Sequence, residues 1–324
     1  MRIRTPKIWD VKDCDVTPEG LYVHRRQLIK TFGLGTVAMA TGCGLRITDD
    51  DPLGPVDAFV NPYEAYFPVS RNDAYQVPER PLSDELDATR YNNFYEFSLA
   101  KATVWKLVGD FQIQPWQVEI GGLIRNPQVV DVEDLLNRFE MEERVYRFRC
   151  VEAWAMTVPW SGFEFSKLIE WADPLPEATH VRFITANEPE QMPGIVSRPD
   201  FPWPYYEGLR LDEAYNELCF MATGLYGRAL PRQNGAPMRL VVPWKYGYKS
   251  IKSIVKIEFV ADQPNTFWND LAPGEYGFES NVDPDVPHPR WSQAQERLLT
   301  TKETVPTQIY NGYGAYVADL YDDG

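Results

Sequence analysis

The sequence predicts a mixed α+β domain with mainly antiparallel sheets and short helices, arranged as one large domain. Three observations carry that class. From Tyr91 onward, short β-like runs are interleaved with brief helical patterns. Neither regular βαβ spacing nor a Gly-rich dinucleotide fingerprint is present. The 324 residues are 44% hydrophobic, enough to bury a substantial core.

In chain order, residues 44–90 are rich in Pro, Asp and Asn with little periodicity, which reads as an extended arm lying on the domain surface. The domain itself spans 91–324. Strands are expected at 116–122 (WQVEIGG), 145–150 (VYRFRC), 180–186 (HVRFITA), 238–244 (MRLVVPW) and 253–260 (SIVKIEFV). Brief helices are expected at 131–139 (DVEDLLNRF), with Asp131 as N-cap, and at 165–172 (FSKLIEWA).

Cys150 closes the run Tyr146, Arg147, Phe148, Arg149, Cys150. Its period of two places Tyr146, Phe148 and Cys150 on one face and the two arginines on the other. Guanidinium charge nearby favours the thiolate, the nucleophilic and metal-binding form of the residue. The competing reading is a buried structural cysteine that behaves as a small hydrophobe.

Charge and counting exclude several classes. A net charge of −15 opposes binding to nucleic acid or anionic lipid. The four cysteines (14, 43, 150, 219) and three histidines (24, 180, 288) form no CxxC or CxxCH, so no disulfide framework, zinc finger or attached c-type haem is expected. One window runs against the acidic background. Residues 218–256 contain no Asp or Glu, yet hold Arg228, Arg232, Arg239, Lys245, Lys249, Lys252 and Lys256. Its Gly-Tyr-Lys-Ser-Ile-Lys segment offers backbone N–H groups beside lysines, as a phosphate of a cofactor tail would need. Solvated lysines flanking a strand are the alternative.

At the front, residues 1–43 hold paired Arg25 and Arg26 followed by a weakly apolar stretch from Phe32 to Ala40. This resembles the twin-arginine export signal of bacteria, and predicts a soluble protein outside the cytoplasm. The stretch is too short for a permanent membrane helix. Ala38-Met39-Ala40 offers a cleavage site, and lipidation of Cys43 is the competing reading.

The blocks YNNFYEF (91–97), RCVEAWAMTVPWSGF (149–163), QNGAPMRLVVPWKYGYKSIKSI (233–254) and HPRWSQAQER (288–297) together resemble the catalytic subunits of periplasmic protein-methionine-sulfoxide reductases. These are sulfite-oxidase-like molybdopterin enzymes, and the resemblance implies their fold. It implies one molybdenum held by one molybdopterin and by the Cys150 thiolate, a soft ligand suited to a sulfur-bound metal. It carries the pterin-binding role to Asn92, Tyr95, Glu96, Thr185, Asn234, Arg239, Ser250, Ile251 and Lys252, and places Asn93 and Glu152 near the metal as polar supports or proton donors. Trp154 and Trp160 read as core rather than substrate contacts.

The implied activity is reduction of methionine sulfoxide in damaged exported proteins, by a monomeric periplasmic catalytic subunit. A separate haem-containing membrane subunit would donate the electrons. Sulfite-type oxygen transfer is the first alternative, though 324 residues leave little room for the dimerisation domain of such oxidases. A non-catalytic exported cofactor carrier is the second. A thiol-dependent hydrolase would need a histidine base beside Cys150.

Overall fold

The computed structural model describes residues 59–321. The export-signal region, the Cys43 lipidation alternative and the start of the arm lie outside the described residues. Among the described residues, no helix is long and apolar enough to cross a membrane.

Among the described residues twelve strands form in chain order: β1 Gln117–Gly122, β2 Gln128–Asp131, β3 Glu142–Arg149, β4 Trp154–Glu164, β5 His180–Thr185, β6 Tyr206–Arg210, β7 Phe220–Leu225, β8 Arg228–Ala229, β9 Arg239–Val241, β10 Ile254–Val260, β11 Gln295–Leu298 and β12 Thr304–Pro306. One sheet has the order β2-β1-β10-β5-β6. The other runs β12-β11-β4-β7-β8, with β3 also paired to β4 and β9 to β7. Only β1/β10 and β4/β11 are parallel, so the antiparallel expectation holds.

All five expected strands form. The longest, β4, was not anticipated, because Pro159 and Gly162 punctuate it and both of its faces are buried, which erases the alternation. Pro159 still takes part: its carbonyl accepts from Tyr226 N at 3.0 Å. Gly162 is required by proximity, since a Cβ there would lie 2.0 Å from the Met221 carbonyl oxygen of β7.

The helices follow their apolar spacing. α1 is Glu85–Arg90, α2 Val132–Arg138 and α3 Phe165–Ala172. In α3 the buried residues Phe165, Leu168, Ile169 and Ala172 form one stripe, and Asp173 ends the helix at φ 52°. Asp131 does stand at the N-cap of α2, but its side chain does not cap the helix. It accepts the Gln117 amide at 3.0 Å instead.

The β3 reading needs one correction. Arg147 and Arg149 do face away from Cys150, but that face is buried as well. Arg144 is held by Glu142 and Glu164, Arg147 by Glu79 and Gln308, and Arg149 by Glu296. Buried charges persist only with such partners. Trp160, Phe163 and Phe220 of this sheet are all fully buried.

Candidate active site

Between β3 and β4 the chain reverses through Cys150–Ala153. The Cys150 amide donates to the Trp154 carbonyl at 2.9 Å and the Ala153 amide to the Cys150 carbonyl at 3.1 Å. Ala153 takes a left-handed φ of 63°, which for a residue with a Cβ costs about 1–2 kcal/mol. The tight turn presents the Cys150 sulfur to a pocket of about 290 Å³.

Three segments distant in sequence build the pocket. Residues following α1 bring Asn92, Asn93, Tyr95 and Glu96; the β3–β4 turn brings Cys150 and Glu152; the acid-free window brings Asn234, Arg239, Ser250, Ile251 and Lys252. Thr185 does not line it. Its hydroxyl donates to the Lys252 carbonyl at 2.8 Å, so it supports the wall from behind.

Around the sulfur, Asn93 Nδ2 lies 3.2 Å from Cys150 Sγ and 3.0 Å from Glu152 Oε2. Glu152 Oε2 also accepts from Trp154 Nε1 at 3.3 Å, and its Oε1 pairs with Lys101 Nζ at 3.0 Å. Burial raises the Glu152 pKa, but donation from Asn93, Lys101 and Trp154 outweighs it and holds the carboxyl below the usual range. Glu152 is therefore an anion and an acceptor in this arrangement.

Arg149 does favour the thiolate, as expected, but its influence is outweighed. Burial first, then the Glu152 charge, pushes the Cys150 thiol up to about 12. Arg149 pulls the other way, yet its guanidinium is turned toward Glu296 and the Cys150 carbonyl rather than the sulfur. A thiolate here needs a bound cation, and a coordinated metal deprotonates a thiol outright.

The basic window also divides in two. Lys245 and Lys249 are neither solvated nor directed at the pocket: Lys245 pairs with Glu213 at 2.5 Å and Lys249 with Glu207 at 2.8 Å. Arg239 and Lys252 remain for the pocket. Lys252 Nζ donates to the Asn93 carbonyl at 2.7 Å, and burial lowers its pKa while raising that of buried Glu96. The close approach of Lys252 to the Asn234 turn requires Gly235, whose φ is 100° and whose Cβ would lie 2.7 Å from the lysine chain.

Arg239 is the sharpest anomaly. It is buried, its donors go only to the carbonyls of Leu240 (3.3 Å), Asn234 (3.0 Å) and Ser250 (2.9 Å), and among the described residues it has no carboxylate partner. Burial alone pulls its pKa to about 9. The side-chain amide oxygens (Oδ1) of Asn92, Asn93 and Asn234 are likewise buried without partners. An unneutralised guanidinium suits a phosphate, and unpaired amide oxygens suit the N–H groups of a heterocycle. Among the described residues no group of three His, Cys, Asp or Glu could hold a metal ion, so a metal at Cys150 brings its other ligands with it.

Several lining residues carried no assigned role in the sequence reading. Trp154, read as core beside Trp160, instead lines the pocket, and only Trp160 of the two is buried core. Trp268, Tyr276 and Trp291 form an opposite aromatic wall, with Trp268 and Tyr276 rings 5.0 Å apart. Trp291 belongs to the HPRWSQAQER block, which was the available signal. Lys101 had none, since only the fold sets it beside Glu152.

One soft sulfur ligand, a cation for a phosphate and acceptors for a heterocycle are the fittings of a molybdopterin-binding oxidoreductase. Residues 106–268 match the oxidoreductase molybdopterin binding domain. The chain is 45% identical over 319 residues to the protein-methionine-sulfoxide reductase catalytic subunit MsrP of Burkholderia mallei, spanning 96% of this chain and 93% of that one. It is 44% identical over 330 residues to the same subunit of Pseudomonas syringae pv. tomato, spanning 99% and 97%. This chain belongs to that family of catalytic subunits. Among solved structures it is similar to the sulfane dehydrogenase SoxCD of Paracoccus pantotrophus, with TM-score 0.42 and 18% identity over 70% of this chain and 57% of that one.

Proposed function

We propose that this chain reduces methionine sulfoxide residues in exported proteins, using molybdenum held by one molybdopterin and by Cys150. The carrying observation is the Asn93–Cys150–Glu152 cluster on the floor of an open pocket, with Asn93 Nδ2 at 3.2 Å from the sulfur. The shared name of the relatives supports the same reading.

When bound, the cofactor supplies two-electron oxygen transfer from sulfur. The chain's own residues do the rest. Arg239 and Lys252 would neutralise the cofactor's phosphate; Asn92 and Asn234 would accept from its ring N–H groups; Cys150 would ligate the metal. Asn93, tethered by one N–H to Glu152, directs the other at the Cys150 sulfur, beside which a sulfoxide oxygen would arrive, and so acts as a preorganised donor. Lys101 keeps a proton beside that position through Glu152. The aromatic wall of Trp154, Trp268, Tyr276 and Trp291 receives the substrate's S-methyl group, since sulfur and aromatic rings attract.

The relatives' designation as catalytic subunits supports a separate electron donor, which we assign to a haem-containing membrane subunit. Arg25 and Arg26 support export by the twin-arginine route to the periplasm, as a soluble monomer rather than a Cys43-lipidated form.

The test is elemental analysis of wild type and Cys150→Ser purified from the exported fraction, followed by turnover on an oxidised protein and on sulfite. Stoichiometric molybdenum in wild type only, with turnover on sulfoxide and not sulfite, is the expected result. Wild type without molybdenum, from cells that make the cofactor, overturns it.

A further inference from the structure

We propose that Glu296 is a positioning residue for the Cys150 ligand: together with Gln293 it holds Arg149 against the carbonyl side of the turn that carries the sulfur. The inference rests on the reading of Cys150 as the metal's protein ligand.

The carbonyls of Cys150, Val151 and Ala153 in that turn are each held by a donor from β3 or from the chain at 291–297. The Cys150 carbonyl accepts from Arg149 Nη1. The Val151 carbonyl accepts from Trp291 Nε1 and from Gln293 Nε2, each at 2.7 Å. The Ala153 carbonyl accepts from the Arg297 amide at 2.9 Å. Arg149 is itself fixed at further points, its Nη2 also reaching the Gln295 carbonyl at 3.3 Å and the Thr307 hydroxyl at 3.4 Å. Its Nε meets Glu296 Oε2 at 2.9 Å and its Nη2 meets Gln293 Oε1 at 2.8 Å. The other Glu296 oxygen meets Arg80 Nη1, from the arm, at 2.5 Å.

Arg149 and Glu296 have fully buried side chains. A buried ion cluster is a poor route to stability, because desolvation offsets attraction and apolar residues of similar volume often serve better. What an apolar cluster could not supply is a rigid planar fork with one arm on the ligand's own carbonyl. Fixing that carbonyl fixes the backbone from which the Cys150 side chain leaves, and hence the direction of its sulfur toward the metal. Groups that orient a ligand in this way typically matter about 10–100-fold for affinity or activity.

The rival account is a staple that only fastens the arm through Arg80. Three holoenzyme variants separate the two: Glu296→Gln, Gln293→Met and Arg80→Gln. Each is read by molybdenum content, melting temperature, kcat and KM on methionine sulfoxide, and the paramagnetic resonance spectrum of the half-reduced metal. That spectrum depends on the metal–thiolate geometry, and a staple would not move it.

We expect Glu296→Gln to change the spectrum and lower kcat by about tenfold or more at an unchanged KM. Arg80→Gln should lower the melting temperature and keep the wild-type spectrum. Unchanged spectra in all three variants, or equal changes in Glu296→Gln and Arg80→Gln, overturn the proposal. Should Glu296→Gln not fold or not load metal, Gln293→Met decides, since it removes a partner of both Arg149 and Val151 while leaving the ions intact. A wild-type spectrum there also overturns it. A molybdenum-free wild type would instead sink the functional reading, so the two failures are distinct.

Discussion

Asn93 and Cys150, 57 positions apart in the chain, meet with the asparagine amide nitrogen 3.2 Å from the sulfur. The same nitrogen is tethered at 3.0 Å by the Glu152 carboxylate, which Lys101 and Trp154 keep ionised. The asparagine is therefore oriented before any substrate arrives. Its side-chain amide oxygen, Oδ1, is buried and without a partner.

Asn93→Leu removes the donor while keeping similar volume. Loss of one preorganised donor to a developing negative oxygen typically lowers kcat by about 10²–10³. We expect a drop of that order, with molybdenum content unchanged because Cys150 is untouched. Steady-state kinetics on methionine sulfoxide beside metal analysis checks both halves; an unchanged kcat would remove Asn93 from the reacting centre.

How far the sequence could see depended on the kind of signal. The five expected strands had period-two alternation or a short β-branched run, and all five form. β4 and β7 are buried on both faces, so no alternation existed to read. The acid-free window pointed to the cofactor end, yet composition could not tell which cations were already neutralised. Glu207 and Glu213, before the window, take Lys249 and Lys245, and only the fold leaves Arg239 without an acid. Cys150 was marked by its neighbours, yet the arginines beside it are spent on carbonyls and carboxylates, and the pull of Arg149 toward the thiolate is outweighed by burial and Glu152.

Arg239→Met follows from that leftover charge. Removing the guanidinium strands three carbonyls, at roughly 1–3 kcal/mol for each buried acceptor left unmade, but also removes the desolvation cost of an unpaired buried ion. The two terms oppose each other in the empty protein and not in the loaded one. The melting temperature of cofactor-free protein should therefore change little, while the rise on cofactor loading is lost and pterin content falls with it. Thermal scans of both forms test this, and an undiminished loading shift would show that another group carries the phosphate.

The other fate of the window's cations gives a pH-dependent prediction. Lys245 Nζ lies 2.5 Å from Glu213 Oε1 with both side chains fully buried, and Tyr321 donates to the same oxygen at 2.7 Å. Burial is the largest influence on Glu213 and raises its pKa, but the charge and hydrogen bond of Lys245 with the bond from Tyr321 outweigh it, leaving the carboxyl below its usual value. A group whose folded pKa is depressed stabilises the fold fully above its unfolded pKa, about 4.3 for Glu, and loses that contribution as pH falls through the folded value. Glu213→Gln leaves the ammonium buried without a counter-charge, a loss of about 3–5 kcal/mol at neutral pH. Because the wild type alone forfeits the carboxylate's contribution in acid, the stability gap between the two proteins should narrow below about pH 4.3. Urea unfolding of both at pH 7, 5, 4 and 3 measures the gap directly; a gap that stays constant across the series would mean that Glu213 binds its proton equally well in the folded and unfolded chains.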